Sequence, residues 1–277
     1  MGDAHMTPPL WQELLLPRQH DDALWELFHE NSKLGRHAHV LSDEDVRQRM
    51  ARLYESLAYE GYPLIHLPQP QTSVPVSVTD AIANRASTRN MIPGSLSSET
   101  LATLLHYGYG VTRRDEAQML PRAFRAAPSG GALYPLEIYI HSTHIIDVPP
   151  GLSHYDPLNN QLRLLREGDS SEMIAAAMVQ PEIAATTSLC IFITALFERS
   201  TFKYGERGYR FVFLEAGHVA QNINLVATAL GLGCVNLGGY FDRDVDRYLE
   251  LDGVTHSTVY LIAIGEKSTS MNMEVPS

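Results

Sequence analysis

The 277 residues carry 21 Lys and Arg against 32 Asp and Glu, a formal net charge of −11, with 44% hydrophobic and 19% charged residues. This balance suits a globular chain with a substantial core, one large domain or one domain with an appendage, and the acidic surplus argues against nucleic acid and against an anionic membrane surface as partners. Met1 to Trp11 lacks the pattern of a signal peptide, no stretch approaches the ~20 apolar residues of a membrane helix, and Cys190 and Cys234 sit in apolar surroundings as buried free thiols, so the expected location is cytoplasmic.

Residues 1–75 read as an N-terminal helical arm and linker, and 76–277 as the main domain. Asp21-Asp22 is expected to cap a helix with Leu24, Leu27 and Phe28 on one face. Ser42 with Glu44-Asp45 begins a second, striped by Val46, Met50, Leu53 and Leu57. His37 and His39 lack a third ligand at metal spacing, so no metal is expected. Pro63, Pro68, Pro70 and Pro75 read as a linker. A short helix from Asp80 then ends in Arg85-Ala86-Ser87-Thr88-Arg89-Asn90. Two arginines with hydroxyls between them suit a phosphate, or make an ordinary basic helix end. Ser97 caps a helix bearing Leu101, Leu104 and Leu105.

Arg125 to Pro135 contains Pro128-Ser129-Gly130-Gly131, where small residues allow a flat ligand close to the backbone or simply make a tight turn. Leu136 to Ile140 alternates as a strand, and 141–170 is β-rich, with turns at Pro149-Pro150-Gly151 and Asn159-Asn160. Ser170 to Met178 is predicted helical. Ser188 to Ala195 is a continuous apolar run, as for a strand buried on both faces. Tyr209 to Leu230 has helical spacing throughout. Its Glu215, His218, Gln221, Asn222 and Asn224 are either a satisfied core network or the lining of a site. Its small residues Ala216, Gly217, Ala220, Ala227 and Ala229 permit close helix contact. A second glycine turn, Leu237-Gly238-Gly239, precedes a helix at Asp244–Leu249 and a last strand ending in Gly265-Glu266-Lys267.

Lys203 and Tyr204 stand side by side where the apolar strand gives way to the long helix, with Gly205 and Gly208 following. A neighbouring ammonium favours the ionised form of a phenol. The pair therefore reads either as a base that neither residue makes alone or as a snorkelling lysine beside a packed tyrosine. In a strand, neighbours point to opposite faces. For both to serve one site an irregular loop is expected, with the glycines supplying the irregularity.

Five ordered blocks together resemble the nitroreductase-like flavoproteins, and in particular their SagB-type branch, the azoline dehydrogenases of thiazole/oxazole-modified peptide biosynthesis. The blocks are Arg85–Arg89, Pro128–Pro135, Lys203–Arg210, Glu215–Asn222, and Gly231 through Gly239; Phe28–Lys33 adds a sixth likeness. The resemblance implies an α+β fold, a central mostly antiparallel sheet wrapped by helices, with FMN held at a homodimer interface. Arg85, Ser87, Arg89 and Lys267 match the positions that hold flavin phosphate and ribityl. Pro128, Ser129, Gly130 and Gly131 match the loop along the isoalloxazine, and Leu237, Gly238 and Gly239 the turn whose backbone faces flavin N5; Asn222 falls in a matching block of the long helix. Lys203 and Tyr204 match the pair implicated in azoline oxidation. Ala132 stands where ordinary nitroreductases carry Asn.

The implied reaction is oxidation of peptide thiazolines or oxazolines to thiazoles or oxazoles, with an azoline-containing precursor peptide as substrate and a cyclodehydratase complex as partner. Two rivals stand beside it: an NAD(P)H-dependent nitro- or quinone reductase on the same fold, which would not need the Lys-Tyr pair, and a flavin-binding scaffold subunit of the cyclodehydratase complex.

Overall fold

The computed structural model describes residues 23–36, 41–53, 55–115 and 122–268; Asp21-Asp22, His37 and His39 lie outside them. Contacts divide the chain into two compact units, Met1–Ala38 and His39–Ser277, where the sequence places the division after residue 75. In the first unit, α1 (Leu24–Asn31) starts at Ala23 without a side-chain cap, and the Ser32 hydroxyl closes it by donating to the Phe28 carbonyl.

The second unit opens with α2 (Asp43–Met50), capped by Ser42 Oγ, which accepts from Asp45 N at 3.1 Å. The expected stripe through Leu53 and Leu57 stops at Met50. Leu57 N instead donates to Glu137 Oε1 at 3.1 Å and Ser56 Oγ donates to Oε2 at 3.3 Å, so the chain leaves the helix to satisfy a buried carboxylate. The proline-marked stretch contributes β1 (Leu64–His66). There follow α3 (Val78–Asn84), β2 (Met91–Ile92), α4 (Ser98–Tyr109), and a hairpin of β3 (Val111–Asp115) and β4 (Arg122–Arg125). Next come β5 (Leu136–Ser142), β6 (Gly151–Asp156), β7 (Gln161–Glu167), α5 (Ser171–Ala176), α6 (Pro181–Ala185) and β8 (Leu189–Leu196). The chain then runs through α7 (Glu198–Tyr204), α8 (Glu206–Ala229), β9 (Gly233–Leu237), α9 (Asp242–Leu249) and β10 (His256–Lys267).

The strands form an eight-stranded sheet in the order β1-β7-β6-β5-β8-β10-β2, with β9 also on β10, and the strand pairings within it are antiparallel. The α+β architecture expected from the sequence is the one observed. β8 lies inside the sheet, and its alternate residues enter two cores. Ile191 and Ile193 pack with Leu101 and Leu104 of α4 and with Val212, Val219 and Ile223 of α8. Cys190 and Phe192 pack with Ile174, Ile183, Val245 and Tyr248 of α5, α6 and α9. Helices on both faces explain why that strand is apolar throughout. Burial pushes the thiols of Cys190 and Cys234 up to about 12, which leaves them unreactive.

α8 is 24 residues long, about 36 Å at 1.5 Å per residue. Its Ala216, Ala220 and Ala227 are buried, so most of its small residues serve packing within the chain. Gly217, Phe213 and Leu214 face outward. Among the described residues no helix is long and apolar enough to cross a membrane.

Candidate active site

The site is built where the 128–134 loop meets the junction of α7 and α8. Gly130 to Ala132 make a single 3-10 turn in which Gly131 has φ +66°. Ala132 and Tyr134 also take positive φ, 53° and 47°, a conformation that costs a non-glycine residue roughly 1–2 kcal/mol. Hydrogen bonds hold the loop there: Tyr134 N donates to Ser129 Oγ at 2.9 Å and Ala132 N to the Ser129 carbonyl at 3.1 Å. The Tyr134 hydroxyl accepts from Arg125 N at 3.0 Å. The Arg125 guanidinium, 6% exposed, lies 4.4 Å over the Tyr109 ring and 4.8 Å over that of Tyr134.

Lys203 and Tyr204 occupy the last turn of α7, and Gly205, with φ +54°, breaks the chain between α7 and α8. The pair is therefore helical, where an irregular loop was expected. Helical neighbours diverge by only ~100°, and both side chains are long enough to reach one point. A Cβ built at Gly131 would lie 2.6 Å from Tyr204 Oη and 3.0 Å from Lys203 Nζ. The two polar atoms thus converge on the glycine loop. Lys203 Nζ stands 5.3 Å from the Tyr204 ring centroid, and Phe211 meets that ring edge-on at 4.9 Å. Phe211 also approaches the loop itself: a Cβ at Gly130 would lie 3.1 Å from its ring. Gly208 allows α7 and α8 to touch, because a Cβ there would strike the Ser200 carbonyl at 2.8 Å.

Sequence reasoning singled out neither Arg199 nor Glu137. Arg199, 5% exposed and one turn before Lys203, sets its guanidinium 2.5 Å from Glu137 Oε1 on β5 and donates to the Tyr134 carbonyl at 3.5 Å. It fastens α7 to the sheet and to the end of the glycine loop. Glu137 also accepts from His154 Nε2 at 2.6 Å. Burial alone would raise its carboxyl; the His154 hydrogen bond and the Arg199 charge outweigh that and hold it at about 2. The signal in the sequence was a charged residue inside an apolar strand, a position that requires a partner.

The polar cluster of α8 divides. Glu215 is 2% exposed and accepts from the Tyr109 hydroxyl at 2.7 Å, with burial raising its carboxyl to about 7. Asn224 is buried and donates to the Ala220 carbonyl and to Asn236 Oδ1, both at 2.7 Å. Asn222 is half-buried, while His218 and Gln221 are exposed.

The phosphate candidates come together at another edge. Ser87 bridges Cys234 of β9, with Thr88 N donating to the Cys234 carbonyl at 2.9 Å. Lys267 of β10 pairs with Met91, two residues beyond Arg89. Ser87, Arg89 and Lys267 are exposed and Arg85 is half-exposed. Leu237 is buried at the end of β9, so its side chain belongs to the core. Nothing lies within 4 Å of a Cβ built at Gly238, while Gly239 packs against Val179 and accepts its N–H at 3.0 Å.

The nitroreductase family profile matches residues 82–266. The chain belongs to the nitroreductase family. It is an oxidoreductase, and the family's cofactor is a flavin. The residues fit one: exposed cations and a hydroxyl gather on one edge, and Gly238 borders open space. MJ1384 of Methanocaldococcus jannaschii, which carries the nitroreductase name, is 36% identical over 193 residues, 69% of this chain and 92% of that one. The microcin B17-processing protein McbC of Escherichia coli is 32% identical over 158 residues, 51% of this chain and 54% of McbC. The trifolitoxin-processing protein TfxB of Rhizobium leguminosarum bv. trifolii is 30% identical over 174 residues, 61% of this chain and 47% of TfxB. The chain thus aligns with about half the length of each peptide-processing relative. A crystal structure from Anabaena variabilis that carries the nitroreductase name superposes with TM-score 0.67 at 25% identity, over 86% of this chain and 45% of that one. The E. coli microcin synthetase McbBCD, with truncated pro-MccB17 bound, shares the fold with TM-score 0.54 at 23% identity, over 88% of this chain and 91% of the matched one.

Proposed function

We propose that this oxidoreductase is an FMN-dependent azoline dehydrogenase, which oxidises thiazolines or oxazolines of a precursor peptide to thiazoles or oxazoles. The observation that carries this reading is the meeting of Lys203 Nζ and Tyr204 Oη at Gly131, since a reductase fed by NAD(P)H has no use for such a pair. Likeness to McbC and TfxB, both named for peptide processing, supports it.

To become aromatic, the five-membered ring must lose a proton from one carbon and a hydride from its neighbour. Tyr204 Oη takes the proton, with Lys203 Nζ beside it at Gly131. FMN, when bound, would supply the two-electron acceptor for the hydride. Pro128 to Gly131, Gly238, Gly239 and Asn222 are the residues that would hold the flavin ring. Arg85, Ser87, Arg89 and Lys267 would hold its phosphate, the cations by charge-assisted hydrogen bonds.

The active form is a homodimer. Phe211, which the glycine loop approaches, and Ala227, whose carbonyl accepts from Leu232 N just before β9, are sixteen residues apart on α8, about 24 Å. That exceeds the span of one FMN, which supports a site whose loop comes from one copy and whose phosphate cradle comes from the other. In the cytoplasm the dimer works with a cyclodehydratase complex, as McbC shares its name with a component of the McbBCD assembly.

The deciding experiment is the mass of a cyclised precursor peptide after incubation with the flavin-loaded protein. Loss of two hydrogens per ring is expected. An unchanged peptide mass together with fast NADPH oxidation would replace this reading with the reductase one.

A further inference from the structure

The meeting of Lys203 and Tyr204 with Gly131 depends on where α7 lies against the loop. That helix has seven residues, opens at Phe197 with no side-chain cap and ends at Gly205, so its position is set by tertiary bonds rather than by its own helicity. Arg199 supplies two such bonds from one nitrogen. Its Nη1 donates to Glu137 Oε1 at 2.5 Å and to the Tyr134 carbonyl at 3.5 Å. Glu137 is a fixed point of reference. Its strand, β5, lies inside the sheet between β6 and β8, and its carboxylate is bonded on both oxygens. Oε1 also accepts from Leu57 N, and Oε2 accepts from His154 Nε2 and Ser56 Oγ. Tyr134 ends the strained part of the loop, three residues after Gly131, with φ +47°. Lys203 follows Arg199 by one helical turn and Tyr204 comes next, about 6–7.5 Å along the helix axis. One guanidinium therefore ties the helix that carries the pair to the loop that the pair meets, and ties both to the sheet.

We propose that Arg199 is a positioning residue for the oxidation: by joining the Glu137 carboxylate to the Tyr134 carbonyl it sets the gap between α7 and the 128–134 loop, and so brings Lys203 Nζ and Tyr204 Oη together at Gly131. The inference rests on the azoline dehydrogenase reading above. Arg199 is buried and turned towards the sheet, so it acts through Lys203 and Tyr204 and not on the substrate. A lysine in its place keeps the charge that the buried Glu137 needs. Its stem is shorter and ends in a point charge instead of a planar fork, so it cannot hold both acceptors at their present separation. The helix then shifts against the loop while the ion pair survives. A bond that served stability alone would change how much of the protein is folded; one that sets this gap changes the chemical step in the protein that is folded.

The test is a double-mutant cycle on the full-length, flavin-loaded protein: parent, Arg199→Lys, Tyr204→Phe and the two together, read as single-turnover flavin reduction by a saturating cyclised peptide. Arg199→Lys is expected to slow reduction by about tenfold or more, as for a catalytic group displaced by a fraction of an ångström. If it acts through Tyr204, it slows reduction by less than about twofold in the Tyr204→Phe background. A purely structural role lowers the rate by the same factor in both backgrounds. The second readout needs neither flavin nor turnover. Amide hydrogen exchange of the unloaded protein should be about tenfold faster in Arg199→Lys over residues 128–135 and 198–205, and parent-like over β8 and β10. Equal factors in the two backgrounds, a parent-like rate in Arg199→Lys, or parent-like exchange over 128–135 would each overturn the proposal. Should Arg199→Lys fail to fold, Glu137→Asp, which keeps the charge and withdraws the carboxylate, replaces it in the same cycle: coupling to Tyr204→Phe supports the proposal and additivity overturns it. A parent whose flavin the cyclised peptide does not reduce removes the dehydrogenase reading itself, while the exchange measurement still reports on Arg199.

Discussion

Gly131 and Tyr204 face each other so closely that a Cβ on the glycine would lie 2.6 Å from the tyrosine hydroxyl. Gly131→Ala must displace Tyr204 or Lys203, and at φ +66° it also adds about 1 kcal/mol of backbone strain. The variant should fold and dimerise while single-turnover flavin reduction by a cyclised peptide falls by 10²-fold or more, the cost expected of a catalytic group misplaced by about an ångström. Stopped-flow absorbance of flavin-loaded samples measures it.

Tyr204→Phe keeps the ring that meets Phe211 edge-on and removes only the hydroxyl. Lys203→Ala removes the charge beside it. Each should leave a yellow, folded protein in which peptide-driven flavin reduction is slower by 10²–10⁴-fold, the usual contribution of a general base. Parent-like reduction by Tyr204→Phe would mean that Tyr204 is not the base. If both variants emerge colourless, the pair is structural.

Arg85 and Arg89 flank the hydroxyls of a segment held to β9, and each bond they make to phosphate is worth about 1.5–3 kcal/mol. Replacing both by Ala should weaken FMN by about 10²-fold or more, in titrations followed by flavin fluorescence. Riboflavin, which lacks the phosphate, should bind parent and variant alike. Equal FMN affinity would take the arginines out of the site.

A flavin site assembled from two copies predicts that loaded protein scatters light as a dimer of the 30.8 kDa chain. Substituting Leu214, 60% exposed on α8, by Glu should give a monomer that loses flavin in the same step. A monomer that retains FMN tightly would exclude the shared site.

Glu137 gives the fold an acid limit. Its folded value, about 2, lies below the ordinary 4.5, so its stabilisation is complete above pH 4.5 and is lost as pH falls from there towards 2. The shift corresponds to about 3 kcal/mol. Urea unfolding of the parent across that window should show the loss. Glu137→Gln, which strands Arg199 and His154, should be about 3–5 kcal/mol less stable at neutral pH and lose much of the acid dependence.

Local pattern made the elements legible. The spacing of Phe211, Leu214, Leu225 and their neighbours gave α8, which begins a few residues earlier than expected, at Glu206. The unbroken apolar run gave β8, and Ser42 and Ser97 gave two caps. The ordered blocks were enough for the family, because glycines and paired arginines are local requirements of backbone approach and phosphate charge. Other features depend on residues far apart in sequence. Lys203 and Tyr204 looked like an irregular loop until the fold placed them in the last helical turn with both polar atoms at Gly131. Leu57 looked like part of a helix until Glu137, on a distant strand, claimed its N–H. Lys267 came beside the arginine segment only through the pairing of β10 with β2. Periodicity and propensity act over a few residues and were written in the chain. Convergence of side chains on one point is set by sheet register and helix packing, and that only the tertiary structure decided.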